Sequence, residues 1–255
     1  MKEKLLWMRC TSPELGELAK QNAVVLIPVG AVEQHGPHMA VGCDSFLAEW
    51  TATRVAQGLW DKEIPAVVAP TLTVANSLHH MNFPGSMSLQ PGTYMQVLKE
   101  WCGSIAAHGF RRIAIVNGHG GNRAPTNTVL MEINMELGFP VYFVDLSVAM
   151  KPTVGLESEK SILHSGEGET SLLLAYDETL VDPIYLETRG ERRPRAAAEA
   201  SGLVATFHRM ETRTANGVSG NNSLATREKG EALMAAATAR LVEALSEEAL
   251  WAQPV

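Results

Sequence analysis

The chain has 255 residues, 45% of them hydrophobic and 19% charged, which is enough apolar material to bury a sizeable core. A formal net charge of −7 argues against a nucleic-acid surface, because binding phosphate backbones requires clustered Lys and Arg. The cysteines, Cys10, Cys43 and Cys102, show no CxxC spacing, which disfavours a disulfide framework or a thiolate zinc site. The segment Met1 to Cys10 has no apolar core of signal-peptide length, and no uninterrupted apolar run reaches membrane-spanning length. We therefore expect a cytoplasmic protein that binds a small molecule and neither nucleic acid nor membrane.

Strand and helix patterns alternate along the chain. Continuous apolar runs predict buried parallel strands, and Gly or capping residues mark helix ends. The alternation predicts βαβ units in one α/β domain spanning residues 1–255, with a mostly parallel sheet. The predicted elements are a helix at 13–21 capped by Ser12, a strand at 23–29, a helix at 44–59, a strand at 66–72, a helix at 91–108, a strand at 112–117, a helix ending at Leu137, a strand at 141–146, a helix at 167–176 and a last helix at 226–250.

The segment Gly30-Ala-Val-Glu-Gln-His-Gly-Pro-His38 directly follows the first predicted strand. Glu33, His35 and Asp44 offer one imidazole and two carboxylates on backbone that the sheet holds in place. Mixed nitrogen and oxygen donors suit Zn²⁺ or Mn²⁺ better than Ca²⁺ or an iron-sulfur centre. The alternative at this point is structural, with Asp44 capping its helix and the histidine simply hydrogen-bonded.

A second polar segment, Asn117-Gly-His-Gly-Gly-Asn122, also lies between a strand and a helix. It could be a tight turn in which Asn122 caps the helix. It could also hold a phosphate, because glycine amides at a helix N-terminus attract anions. The Rossmann pattern G-x-G-x-x-G/A is missed, however, and Asp145 would have to serve as the ribose carboxylate. A Rossmann-like nucleotide-binding protein using 118–122 therefore stays open as an alternative.

A third segment, His164-Ser-Gly-Glu-Gly-Glu-Thr-Ser171, leads into an apolar helix. Acidic residues in a first helical turn are expected from the helix dipole, but their coincidence with a histidine is not. The chain has no HExxH helix, no G-x-S-x-G elbow and no catalytic cysteine signature. Zincin, serine and cysteine mechanisms therefore have little support.

The order of these segments resembles that of the creatininase (creatinine amidohydrolase) family. The resemblance covers nearly the whole chain and also includes 83–86 (Phe-Pro-Gly-Ser) and 225–231 (Ala-Thr-Arg-Glu-Lys-Gly-Glu). It implies a three-layer αβα sandwich, two divalent metal ions per chain, Zn or Mn, and hydrolysis of an amide C–N bond by a metal-bridging hydroxide. It also implies a homo-oligomer, often a hexamer.

Site residues follow from the resemblance position by position. Glu33 and His119 would bind one metal, His35 the other, and Asp44 both. Creatinine-hydrolysing members carry a Glu two residues after the loop histidine, where this chain has Gly121. Glu167 is expected to replace that ligand.

Further residues are expected to act in catalysis and substrate binding. His164 is expected to protonate the departing nitrogen, because its ordinary pKa lies near neutral pH, and Glu169 to orient it or the metal shell. His38 would orient a ligand from outside the metal shell. His80, Asn76 and Gly120 are the predicted substrate-binding residues.

The substrate is expected to be a small amide or lactam. Creatinine hydrolysers carry a Trp-Asp pair where this chain has Lys160 and Ser161, so creatinine itself is disfavoured, and a creatinine amidohydrolase proper is the alternative. A cluster of arginines could contact the substrate or another subunit, or simply form a solvated loop. It comprises Arg189, Arg192, Arg193 and Arg195.

Overall fold

The computed structural model describes residues 4–151, 155–158, 160, 162–190, 193–194 and 196–255. Its sheet has four parallel strands in the order β2-β1-β3-β4. The strands are β1 (Val24–Val29), β2 (Ala66–Val68), β3 (Arg112–Asn117) and β4 (Val141–Asp145).

The α-helices of the described residues follow the predicted alternation. They are α1 (Ser12–Lys20), α2 (Cys43–Asp61), α3 (Pro91–Ala107), α4 (Arg123–Leu137), α5 (Leu146–Ala149), α6 (Glu167–Tyr176), α7 (Ala197–Ala200), α8 (Met210–Arg213), α9 (Arg227–Ser246) and α10 (Glu248–Trp251). None of them combines the length and the apolar character that crossing a membrane requires.

Helices cover both faces of the sheet, which confirms the three-layer αβα prediction. Alternate residues of β1 point into two separate cores. Val24 and Leu26 pack with α2, α6 and α9, whereas Val25 and Ile27 pack with α1, α3 and α4. Burial on both faces explains why β1 is a continuous apolar run rather than an alternating one.

Several predicted boundaries were wrong by a few residues. Helix α1 begins at Ser12 rather than Pro13, because Thr11 forms a capping box with Glu14 and is the N-cap in place of Ser12. Strand β2 ends at Val68 instead of 72, close to Pro70, which has no N–H to donate to a strand partner. The predicted last helix is divided at Glu247 into α9 and α10.

The connections place one crevice at the middle of the sheet. Strand β1 leads outward through α2 to β2, whereas β3 leads through α4 to β4 on the other side. The connections that follow the neighbouring strands β1 and β3 therefore lead to opposite sides of the sheet, and the carboxyl ends of two such strands are where open α/β sheets bind ligands.

Candidate metal centre

The polar segments after β1 and β3 meet in this crevice. Val29 and Asn117, the last residues of the two strands, are partners in the parallel ladder. The segment after β1 carries Glu33 and His35, and the segment after β3 carries His119. All three side chains are nearly inaccessible to solvent.

Two glycines allow the N-terminus of α2 to reach the same place. A Cβ atom on Gly30 would lie 2.3 Å from the Ser45 Cα, and a Cβ on Gly118 would lie 2.4 Å from the Asp44 carbonyl oxygen. Only glycine fits such close backbone approaches. Asp44 is inside the first turn of α2, whose N-cap is Gly42, so the capping alternative for Asp44 is wrong.

The Asp44 carboxylate lies between two imidazoles. Its Oδ1 is 3.2 Å from His35 Nε2, and its Oδ2 is 3.0 Å from His119 Nδ1. Glu33 Oε2 lies 3.2 Å from His119 Nε2 on the other side of that ring. The four side chains thus form one continuous buried group with Asp44 at its middle.

Backbone carbonyls determine which ring nitrogens carry hydrogen. His35 Nδ1 lies 3.0 Å from the Glu33 carbonyl, and His119 Nε2 lies 3.0 Å from the Asn76 carbonyl. A carbonyl only accepts, so each of these nitrogens is the protonated one. The lone pairs of the neutral rings are therefore at His35 Nε2 and His119 Nδ1, the atoms that face Asp44, in the arrangement typical of metal-binding histidines.

The donor atoms of this group fit a metal centre. Within the described residues, both Glu33 oxygens, His35 Nε2 and Asp44 Oδ2 are buried without a hydrogen bond of normal geometry. Buried polar atoms almost always have a partner, so four orphans in one place require an explanation. Two ligands of one tetrahedral Zn²⁺ at about 2.1 Å lie about 3.4 Å apart, which is close to the 3.2 and 3.0 Å separations between the Asp44 oxygens and the two ring nitrogens that face them.

The pKa values of Glu33 and His35 are strongly shifted in the metal-free protein. Burial opposes the charge on Glu33, but His119 and His80 outweigh it and hold the Glu33 pKa well below its ordinary value. Burial likewise opposes charge on His35, yet Asp44 raises the pKa of His35 to about 10. The metal-free group thus holds protons in place of cations, and a divalent ion would displace them.

The two acidic residues of α6 occupy different surroundings. Glu169 Oε2 lies 3.6 Å from His35 Nε2 and accepts a hydrogen bond of 2.7 Å from the Ser165 N–H. The Glu167 carboxylate instead pairs with Lys229 Nζ at 2.7 Å and accepts hydrogen bonds from the Ser158 amide and hydroxyl. The structure therefore brings Glu169, and not the predicted ligand Glu167, to the Asp44 group.

His164 and His80 stand at the rim of the group. His164 Nδ1 lies 3.5 Å from Glu33 Oε1, and its ring centroid is 4.5 Å from that of His35. His80 Nε2 lies 3.3 Å from the same Glu33 oxygen. Both rings, together with Glu169, line a cavity of about 380 Å³, and so does Gly120.

Two other predicted site residues serve the framework. Asn76 donates through Nδ2 to the Gly121 carbonyl and accepts from His119 through its own carbonyl, so it holds the 118–122 segment in place. His38 Nε2 lies 3.0 Å from Thr170 Oγ1, which adjoins Glu169. Of the predicted arginine cluster, Arg189 and Arg193 are exposed, while Arg192 and Arg195 lie outside the described residues, as does Ser161.

Sequence reasoning missed two residues of this centre. Gln34, between Glu33 and His35, contacts both His80 and His164. His79 stacks on His119 with the ring centroids 5.5 Å apart. The signal for Gln34 was its place inside the ligand segment, and the signal for His79 was its adjacency to His80.

Comparison with known proteins gives a consistent result. The family described as "Creatininase: Creatinine amidohydrolase" matches residues 8–245. A mycofactocin precursor peptide peptidase of Mycolicibacterium smegmatis is 31% identical over 215 residues, which are 83% of this chain and 80% of the relative.

Solved structures agree along nearly the whole chain. A putative creatinine amidohydrolase from Bacteroides fragilis superposes with a TM-score of 0.85 at 25% identity, covering 97% of both chains. A creatininase variant of the Zn-Zn type has a TM-score of 0.77 at 25% identity, covering 98% of this chain and 99% of the other. A manganese creatininase has a TM-score of 0.78 at 26% identity, covering 98% and 100%.

Proposed function

Because this chain is a member of the creatininase family of amidohydrolases, we propose that it hydrolyses the C–N bond of a small amide, cyclic or linear, with two divalent ions. The observation that carries the proposal is the position of Asp44, whose two oxygens face ring nitrogens of two different histidines, at 3.2 and 3.0 Å. A carboxylate between two imidazoles could hold a pair of neighbouring cations together with His35 and His119. Related structures of a Zn-Zn and a Mn creatininase support Zn²⁺ or Mn²⁺.

The residues divide into two ligand sets around Asp44. By the family resemblance Glu33 and His119 would hold one ion, with the Glu33 carboxylate turned from the Nε2 side of the ring toward its Nδ1 side, and His35 and Glu169 would hold the other. Glu169 takes the place first given to Glu167, because its carboxylate lies near His35 while Glu167 pairs with Lys229.

A glutamate at position 121 could not serve here. A Cβ on Gly121 would lie 2.3 Å from His119 Nε2 and 2.5 Å from the Asn76 carbonyl oxygen. The space that a ligand side chain would need is filled by the histidine and the backbone. This packing supports Glu169 as the compensating ligand.

When bound, the two ions would supply an activated water and Lewis acidity toward the amide carbonyl. The chain contributes orientation and charge. Asp44, Glu33 and Glu169 bring negative charge that two cations balance, and the carbonyls behind His35 and His119 keep their lone pairs turned toward Asp44.

His164 is our candidate for the group that meets the departing nitrogen. It lines the cavity beside Glu33, and its side chain keeps 16% of its surface exposed. Burial and the neighbouring His35 hold the pKa of His164 well below its ordinary value. The ring is therefore neutral at pH 7, so it would act on the substrate as a neutral imidazole rather than as a charged acid.

The cavity suits a small substrate with an apolar part. Its volume of about 380 Å³ is at the lower end of the range for small-molecule sites. Aliphatic side chains form one wall, and Arg123 and Arg213 stand among its polar residues. The aliphatic wall consists of Leu47, Leu146, Met150, Ile162 and Leu172.

The test combines metal analysis and hydrolysis on the same protein sample. We expect about two equivalents of Zn²⁺ or Mn²⁺ and turnover of at least one lactam, small linear amide or short peptide, with creatinine a poor substrate. Asp44→Ala is the matched control and should lose both metal and turnover. A metal-free protein that still hydrolyses the substrate would contradict the proposal, and creatinine as the best substrate would favour creatinine amidohydrolase proper.

A further inference from the structure

Gln34 is a buried amide at the centre of the site, only 5% exposed. Its Oε1 accepts a hydrogen bond of 2.9 Å from the Gly36 N–H, and its Nε2 donates to the Gly217 carbonyl at 3.1 Å. A backbone N–H can only donate and a carbonyl can only accept. These two contacts therefore establish which end of the Gln34 amide is oxygen and which is nitrogen.

The same Gln34 nitrogen faces two imidazoles. It lies 2.8 Å from His80 Nδ1 and 2.9 Å from His164 Nε2. The NH₂ group has two hydrogens, which it shares among the Gly217 carbonyl and the two ring nitrogens, and a protonated ring nitrogen at 2.8 or 2.9 Å would direct its own N–H against that group. Both ring nitrogens must therefore be unprotonated.

We propose that Gln34 is a positioning residue that fixes the tautomers of both histidines, so that His80 carries its hydrogen on Nε2 and His164 on Nδ1. Both N–H groups then face one atom, Glu33 Oε1, at 3.3 and 3.5 Å. The two rings differ in which nitrogen is protonated because Gln34 approaches one at Nδ1 and the other at Nε2.

Two N–H groups on the same side of Glu33 stabilise its carboxylate as an anion. They leave Oε2, the oxygen that faces His119, available for other partners. The contact with Gln34 leaves one nitrogen of each ring unprotonated, so each ring is neutral, and burial in addition lowers the pKa of both histidines. Gln34 thus decides the position of a hydrogen on each ring without changing its charge.

The effect of Gln34 on catalysis rests on the proposed function. The tautomer assignment rests only on the hydrogen-bond geometry around Gln34. A neutral His164 whose only hydrogen is on Nδ1 acts as a hydrogen-bond donor on the Glu33 side of the ring. Because its contact with Glu33 Oε1 is long, at 3.5 Å, this N–H could also be shared with charge that develops on the substrate, as neutral imidazoles do in other sites. Its Nε2 lone pair is already occupied by Gln34, so the ring does not have to gain and lose a proton in each turnover.

The test is the side-chain ¹⁵N spectrum of the metal-free protein labelled at histidine, with the two rings assigned from single His80 and His164 variants. We expect a protonated Nε2 and an unprotonated Nδ1 at His80, and the opposite pattern at His164. The reverse pattern at either ring overturns the inference, and this measurement needs no variant of Gln34.

The causal role of Gln34 is tested by Gln34→Met, which removes the donor at similar side-chain length, and by Gln34→Glu, whose ionised carboxylate can only accept. We expect mixed tautomers in the first variant and reversed tautomers in the second. Gln57→Met, at a partly exposed glutamine of α2 whose amide donates to Asp61, should leave the wild-type pattern unchanged. Unchanged tautomers in both folded Gln34 variants would show that another group sets them.

Activity is a second readout that separates this inference from the proposed function. With an active substrate, Gln34→Met should lower kcat about 10- to 100-fold, as outer-shell substitutions do, with KM changed less than threefold. If the protein hydrolyses no amide but shows the expected tautomers, the proposed function fails while the role of Gln34 stands. If the tautomers differ from the expected pattern in an active enzyme, only the role of Gln34 fails.

Discussion

Glu167 and Glu169 lie two residues apart in the first turn of α6, yet they face different parts of the molecule. Residues two apart on a helix point to nearly opposite sides, so the two carboxylates cannot meet at one site. Glu167 faces α9, where Lys229 neutralises it, and Glu169 faces His35. The two glutamates of this turn therefore lie in different surroundings. Glu167 forms an ion pair between two helices, whereas Glu169 lies beside the candidate metal centre.

Their pKa values differ in the same sense. Burial raises the pKa of Glu169 to about 8, with the negative charge of Asp44 adding to the effect and His35 opposing it. Burial also acts on Glu167, but hydrogen bonds from Lys229 and Ser158 outweigh it and lower its pKa. A carboxyl group that stays protonated at neutral pH without a cation nearby is a better candidate ligand than one already neutralised by a lysine.

Glu169→Gln should have the largest effect on activity. Loss of a residue that only hydrogen-bonds to a metal ligand typically lowers activity about 10- to 100-fold. Loss of a ligand itself should therefore lower kcat/KM on the order of 1,000-fold. Metal content should fall from about two equivalents to about one, because the ion at His35 loses an anionic ligand. Metal analysis and kinetics on the same sample measure both. Full activity with two bound ions would remove Glu169 from the ligand set.

Glu167→Gln should reduce stability rather than metal content. The substitution removes the buried carboxylate from the largely buried Lys229 ammonium and leaves it with the exposed Glu157 as an anionic partner, which costs about 3 kcal/mol of unfolding free energy. For a chain of this length the loss corresponds to a drop in Tm of about 6–12 °C. Thermal unfolding with metal analysis measures both quantities.

The control for Glu167→Gln is Glu157→Gln. Glu157 also contacts Lys229, at 2.7 Å, but 66% of its side chain is exposed, so its loss should cost less than about 1 kcal/mol. Loss of one metal equivalent in Glu167→Gln, with Glu169→Gln unaffected, would reverse the roles of the two carboxylates.

Much of the fold could be predicted from the sequence. The strand at 112–117 and the helix at 167–176 have the bounds that the structure gives them, because apolar runs and glycines mark them locally. The meeting of Glu33, His35 and Asp44 also followed from local pattern, since Glu33 and His35 lie on the short connection after β1 and Asp44 lies in the first turn of the helix that follows it. The predicted strand at 66–72 was too long, because Pro70 changes the hydrogen bonding without interrupting the pattern that predicts a strand.

The sequence does not predict in the same way which face of α6 points toward the candidate metal centre. Both flanks of this helix are buried, so hydrophobic periodicity does not indicate its rotation about its axis. The lysine that identifies Glu167 as structural lies 62 residues further along the chain, beyond the reach of local pattern. Gln34 was missed for another reason, since an amide has neither charge nor metal affinity and acts only through its neighbours.

Gly121→Ala tests whether position 121 can replace Glu169. Its Cβ would overlap His119 Nε2 and the Asn76 carbonyl, an overpacking that should cost about 1–3 kcal/mol of stability. Gly120→Ala is the matched control, because a Cβ there has nothing within 4 Å. Chemical denaturation of both variants measures the difference, and equal stabilities would contradict the packing argument.

The double variant Gly121→Glu with Glu169→Gln extends that test. A glutamate at 121 should not restore the second metal equivalent, because its side chain has no space beside His119. Recovery of metal and activity would show that the segment rearranges and that the close packing does not determine the ligand.

Metal affinity should depend on pH through Glu169 and not through Glu167. In the metal-free protein the Glu169 carboxyl, with a pKa of about 8, is protonated at pH 7 and must lose its proton to bind a cation. Binding should therefore weaken as pH falls below about 8, by up to about tenfold per pH unit for this one proton. Glu167 is already ionised there, so Glu167→Gln should leave the dependence unchanged.

Calorimetric titration with Zn²⁺ or Mn²⁺ between pH 6 and 8, in buffers of different ionisation enthalpy, counts the released protons. His35, with its pKa raised to about 10, also releases a proton, but it does so in every variant that keeps this histidine. The difference between wild type and Glu169→Gln, compared at the second ion, therefore isolates the Glu169 proton. An equal proton count in both would mean that this carboxyl is ionised before the metal arrives, and the contrast between the two sides of α6 would then rest on geometry alone.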